Sequence, residues 1–137
     1  MAVQAKLSIN GDSKEYNILE CTYDFRQVID DTGKPVSRPQ GGTITFVTPS
    51  TGDDDLFFYK WMFNKTEVQS GVFVFTVFSN DNKPYYKTLE FENAYCIELK
   101  DNFNNADSKL MYSTITISAQ VIRIGKRDRV IFTNEWT

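Results

Sequence analysis

The sequence has no histidine. That removes Ser-His and Cys-His nucleophilic catalysis, histidine general-base chemistry and the commonest metal ligand. It has two cysteines, Cys21 and Cys96, far apart and with no CxxC pair. They read as two buried free thiols in a reducing compartment, not as a disulfide or a zinc site. Glycine is sparse, and the one pair, Gly41-Gly42, precedes a strand and lacks a P-loop lysine, so no phosphate cradle is present. No run of five basic residues occurs and the net charge is −3, so nucleic acid and anionic membranes are poor partners. No stretch approaches the ~18 apolar residues of a membrane span, so no membrane insertion is expected. The first residues, Met1-Ala-Val-Gln-Ala-Lys-Leu-Ser, lack the charged start and apolar run of a signal peptide. The expectation is a chain made and folded in the cytoplasm. If it leaves the cell, it does so without a cleaved signal. No catalytic residue, metal site or cofactor is expected, and the chain reads as a non-enzyme.

At 137 residues the chain fits one domain, 1–137, long enough to bury a core without staples. Eleven Phe and seven Tyr suit sheets. Val3, Ala5, Leu7 and Ile9 alternate with polar residues, which predicts a half-buried strand. Asn10-Gly11-Asp12 then predicts a hairpin turn. Tyr16 and Ile18 share one phase, while Leu19, Cys21, Tyr23 and Phe25 share the other. The switch between Ile18 and Leu19 predicts a bulge or a sharp bend, as a barrel needs.

The most distinctive stretch follows. Residues 30–42 read Asp-Asp-Thr-Gly-Lys-Pro-Val-Ser-Arg-Pro-Gln-Gly-Gly, dense in turn residues and with Val36 as the only apolar anchor. Such a loop has no place in a core, because its backbone groups need water or another surface. It predicts a projecting arm. Asp30 and Asp31 are its anions, Lys34 and Arg38 its cations, and Gln40 lies near its end.

After the arm, Ile44 and Phe46 mark a short strand stopped by Pro49. Residues 53–63 predict the one helix, with Asp53, Asp54 and Asp55 in its first turn, where the macrodipole favours anions. Consecutive carboxylates point to different sides of a helix, so they do not read as a metal site. Leu56, Phe57, Phe58, Tyr59, Trp61, Met62 and Phe63 make this helix apolar nearly all round. It either plugs a barrel end or is covered by a neighbouring subunit. Residues 72–78, Val-Phe-Val-Phe-Thr-Val-Phe, are apolar on both faces, which implies cover on both. Val72, Phe73, Val74, Phe75 and Trp61 are therefore candidates for a subunit interface. Leu89, Phe91, Tyr95, Ile97 and Leu99 predict one face of a long strand, with Cys96 on the other and less surely buried than Cys21. A polar loop over 101–109 follows. Met111, Ile115, Ile117, Ala119 and Val121 predict a core face, with a second phase switch near Gln120–Ile122. Opposite lie Thr114, Thr116, Ser118 and Gln120, small, polar and uncharged.

Several stretches together resemble the haemolysin-coregulated protein family, the inner-tube proteins of type VI secretion systems. They are Tyr23-Asp-Phe-Arg-Gln, Asp30-Asp-Thr-Gly-Lys-Pro, Ser37-Arg-Pro-Gln-Gly-Gly-Thr-Ile and Lys60-Trp-Met. Leu89-Glu-Phe-Glu-Asn-Ala-Tyr-Cys, Ser113-Thr-Ile-Thr-Ile-Ser-Ala and the closing Asn134-Glu-Trp agree. Their order and spacing cover nearly the whole chain, in the manner of a diverged branch. The resemblance implies a small antiparallel β-barrel of two sheets with one α-helix and a long extended loop. It implies a homohexameric ring, rings stacked into a tube inside a contractile sheath, a spike at the tip and effectors in the lumen. Assembly would be cytoplasmic, followed by export without a signal peptide. On this reading Asp30, Asp31, Lys34, Arg38 and Gln40 form a ring-stacking arm. Thr114, Thr116, Ser118 and Gln120 line the bore. A tail-tube protein of a phage-like contractile particle, or a soluble β-barrel that binds a ligand, are the other readings.

Overall fold

The structure is a computed structural model that describes residues 4–9, 15–106 and 110–136. Val3, the turn expected at Asn10-Gly11-Asp12 and residues 107–109 of the loop expected over 101–109 lie outside the described residues, and residues 101–104 of that expected loop are strand instead. Among the described residues, eight strands and one helix follow in order: β1 (Gln4–Ile9), β2 (Glu15–Asn17), β3 (Glu20–Tyr23), β4 (Thr43–Pro49), α1 (Phe57–Phe63), β5 (Gln69–Phe78), β6 (Pro84–Asn104), β7 (Leu110–Ile124) and β8 (Val130–Thr133). All pairings are antiparallel, in the order β2-β1-β5-β6-β7-β4-β3, with β8 beside β7.

The strands form one curled sheet where the resemblance implied two. The reason is the length of β6 and β7, which run through both halves and keep them joined. The curl closes through the bend at Ile18–Leu19. There the chain leaves its pairing with β1 and enters its pairing with β4. Ile18 N–H donates to the Ala5 carbonyl (2.9 Å), and Leu19 N–H to the Val47 carbonyl (2.8 Å). The expected phase switch is thus the barrel's closing corner. The switch expected near Gln120–Ile122 is also present, since burial passes from Ile115, Ile117 and Ala119 to Ile122.

Strand β6 differs from the sequence expectation. Leu89 and Phe91 are buried, but Ala94 and Cys96 follow them inward, and Ile97 is half-exposed. Asn93 takes a left-handed φ of 55° and reverses the phase. A register shift between Cys96 and Glu98 then restores it. So Cys96 is buried and Cys21 only partly, the reverse of the expected order. Burial pushes the Cys21 thiol up to about 12 and the Cys96 thiol up to about 11, so neither supplies a thiolate at neutral pH.

The helix is shorter than expected. Residues 52–55 form a turn, closed by Asp55 N–H to the Gly52 carbonyl (3.1 Å), and no acidic residue sits in the helix's first turn. The Asp55 carboxylate instead accepts the Phe57 N–H (3.2 Å) from outside the helix. Phe58 and Trp61 point into the barrel; Phe58 packs on Tyr16 and Phe46, with ring centres 4.7 and 5.9 Å apart, and Trp61 packs on Phe58. The helix plugs the core. Among the described residues no buried side-chain polar atom lacks a hydrogen bond, and no helix is long and apolar enough to cross a membrane.

Candidate functional site

The arm is a tongue folded on itself. Arg26 and Gln40 exchange backbone bonds of 2.9 and 2.6 Å, Val36 N–H donates to the Val28 carbonyl (2.8 Å), and Ile29 bridges Pro35. At the tip, Asp30 N–H donates to the Lys34 carbonyl (2.9 Å), and Gly33, with φ 88°, makes the turn. The Asp30 carboxylate accepts the Thr32 N–H (2.9 Å), the Thr32 hydroxyl (2.7 Å) and the Lys34 N–H (3.0 Å). These bonds, the Thr32 hydroxyl foremost, hold its pKa below the ordinary carboxylate value. Asp30 therefore builds the tip, while Asp31 and Lys34 stay exposed around it. Arg38 pairs with Glu135, both largely exposed. Val28, Ile29 and Val36 are exposed on the tongue, so it carries more apolar surface than its polar spelling suggests.

The arm's root is clamped. Gly42 has φ 98°, and Asn134 lies against it. Asn134 Nδ2 donates to the Gly41 carbonyl (3.1 Å) and the Ala119 carbonyl (3.0 Å), and its N–H donates to the Gln120 carbonyl (2.7 Å). Trp136 then packs against Tyr95 with the rings tilted, centres 5.4 Å apart. Arm, closing segment and β7 are one unit. Sequence reasoning singled out Asn134-Glu-Trp only by resemblance, because a clamp of backbone acceptors leaves no side-chain pattern to read.

The five candidate interface residues separate. Phe73 and Trp61 are fully buried within the chain, which corrects the expectation that they face a neighbour. Phe73 sits between Phe46 and Phe91, and Trp61 Nε1 donates to the Ala94 carbonyl (3.1 Å). Val74 lies on the other face of β5 and is 39% exposed, while Val72 and Phe75 are half-buried. A strand apolar on both faces gives no sequence signal for which face is inside.

The four candidate bore residues do share the face of β7 opposite its core. Thr116 is nearly covered, and its hydroxyl lies 3.0 Å from that of Thr45 across the strands. Thr114, Ser118 and Gln120 are half-buried. Ser118 also lines a cleft of about 480 Å³ with Tyr95, Met62, Lys65 and Trp136. Met111, expected on the core face, is exposed beside Leu110. No cluster of three or more metal-ligating side chains occurs among the described residues.

A barrel with a clamped, self-supporting tongue matches a known family. The family model for Hemolysin coregulated protein Hcp (TssD) matches residues 1–137. The chain belongs to the Hcp (TssD) family. It is thus a tube protein of the type VI secretion class, a structural family. Hcp1 from Flavobacterium johnsoniae is 30% identical, with 96% of this chain and 99% of that chain covered and a TM-score of 0.76. Hcp1 from Salmonella typhimurium is 12% identical, with coverage of 96% and 93% and a TM-score of 0.69. A chain in the baseplate of the anti-feeding prophage is 12% identical, with coverage of 92% and 93% and a TM-score of 0.51. The last two likenesses show the fold alone. No curated protein matches the chain.

Proposed function

We propose that this Hcp protein forms a homohexameric ring, and that rings stack through the arm into a tube carrying effectors. The tube assembles in the cytoplasm, with a spike at its tip and a contractile sheath around it, and is expelled from the cell. The observation that carries this reading is the family match over the whole chain. The arm supports it: a tongue with Val28, Ile29 and Val36 exposed is a surface waiting for a partner. A ring is a head-to-tail contact that closes, and stacked rings make a filament. Light scattering of the pure protein is expected to give a mass near six chains, and negative-stain microscopy to show rings. A monomer at every concentration contradicts the proposal and favours a soluble binding module.

Within the tube, Thr114, Thr116, Ser118 and Gln120 face the bore. A wall of small uncharged polar groups holds varied cargo by weak contacts, without the strong charges that would trap one class. Thr114 is the position to probe, because Thr116 is nearly covered. A Thr114→Cys variant, treated with a bulky thiol reagent, is expected to react slowly in capped tubes and quickly in dissociated rings. Equal rates place this face outside the tube.

A further inference from the structure

Exposed apolar residues gather at both ends of β7, and the balance of charge beside the two groups is opposite. At its C-terminal end, Phe25, Pro39, Ile122, Ile124, Val130 and Ile131 line a groove of about 340 Å³. Val130 is 69% exposed and Ile131 59% exposed. Ile124 pairs with Val130, so the turn between them stands on the groove's edge. That turn begins at Gly125, φ 100°, and carries Lys126 and Arg127, both exposed. Asp128 follows, and Arg129 is tied to Glu90 at 3.2 Å.

At the N-terminal end, Leu110 and Met111 are exposed, with Phe103 paired to Met111 and exposed too. Ser50 N–H donates to the Met111 carbonyl (2.8 Å) and ties this tip to residues 50–55. That segment carries Asp53 and Asp54, exposed and next to the turn closed by Asp55. One pole thus offers an apolar tip with two carboxylates. The other offers an apolar groove with two cations and one carboxylate, Asp128. Fifteen residues of β7, about 50 Å of strand, separate them. They are too far apart to meet within one chain.

We propose that these poles meet between rings: Phe103, Leu110 and Met111, with Asp53 and Asp54, of one copy seat against the Val130–Ile131 groove and Lys126–Arg127 of the next. This rests on the tube reading and names the surface that receives the next ring. Apolar contact supplies the attraction, and the opposed charges fix which end faces which. The arm springs from the groove's pole, since Phe25 and Pro39 line that groove, so the arm extends toward the same neighbour.

The test uses three variants of the whole chain. One carries Lys126→Glu and Arg127→Glu, one carries Asp53→Lys and Asp54→Lys, and one carries all four. Rings are sized by light scattering and stacks by electron microscopy and sedimentation. Each half-reversal is expected to keep rings and raise the protein concentration needed for stacking at least tenfold. The fourfold variant is expected to recover most of that loss. Half-reversals that stack like the parent, or a fourfold variant that recovers nothing, overturn the proposal. So do rings that fall apart in either half-reversal, since the contact then lies within a ring. If the parent makes rings that never stack, an Asp54→Cys, Lys126→Cys variant is oxidised. Multi-ring tubes released by reductant support the contact, and single rings overturn it. A parent that makes no rings contradicts the tube reading itself.

Discussion

Trp61→Ala is expected to remove about 3–5 kcal/mol of subunit stability, the usual cost of truncating a large buried aromatic. Trp61 is completely buried, and its rings contact Phe57 and Phe58 at 5.8 and 6.5 Å. Truncation leaves a cavity where the helix plugs the barrel and leaves the Ala94 carbonyl without its indole donor. A domain of this kind is stable by only ~5–15 kcal/mol. The loss therefore takes a large share, and rings should disappear on mild warming. Trp61→Phe keeps much of the volume and removes the donor, so it should cost clearly less. Denaturant midpoints read both. A shift worth under ~1 kcal/mol for Trp61→Ala means that the helix does not plug the core.

Gly42→Ala is expected to free the arm. A side chain at φ 98° costs about 1–2 kcal/mol in backbone strain. The added Cβ also meets the Asn134 amide and lies 2.7 Å from the Ala119 carbonyl. Asn134 must swing away, and residues 134–136 go with it. Only two tryptophans are present, and Trp61 is buried, so a red shift in emission reports Trp136 leaving Tyr95. Protease should then cut within residues 26–40, and stacked tubes should be lost. Arg38→Glu is the gentler companion. It sets a second carboxylate beside Glu135 at an exposed site, where the pair contributes at most ~1 kcal/mol. The subunit and the ring should survive, while stacking fails because the arm's direction changes in every copy. If both variants stack like the parent, the arm is not the stacking element. If the Arg38→Glu rings dissociate, the arm belongs to the contact within a ring.

The elements that could be read from sequence were those with one wet face. Leu7 and Ile9, Ile44 and Phe46, and Ile115 to Ala119 alternate with polar residues and fall where that alternation puts them. The bend at Ile18–Leu19 was legible because the alternation changes phase without a turn residue. Where both faces are apolar the signal vanishes, and so Phe73 and Trp61 were placed outward. In β6 the reversal comes from the single left-handed Asn93, whose side chain bonds Gln120 at 3.0 Å. Nothing in its neighbours announces that backbone conformation. The arm's polarity was readable, but its pairing was not, since Ile29 and Pro35 meet through backbone. The two poles were invisible for a simpler reason. Residues 53–54 and residues 126–127 gain meaning only when the topology sets them at opposite ends of one strand.

The order β2-β1-β5-β6-β7-β4-β3 also governs how the chain is made. Strands β5, β6 and β7 are successive hairpins and can pair as they emerge from the ribosome. β1 and β4 can pair early on one edge only, with the three residues of β2 and the four of β3. On the other edge Leu7 must wait for Phe73, and Ile44 for Ile117. Contacts of such separation are slow to close. The earliest strands of the nascent chain therefore spend the longest time with one edge open, with Leu7, Ile9, Ile44 and Phe46 uncovered. Every subunit of a tube passes through that vulnerable interval, which the synthesis of β5 ends for β1 and that of β7 for β4.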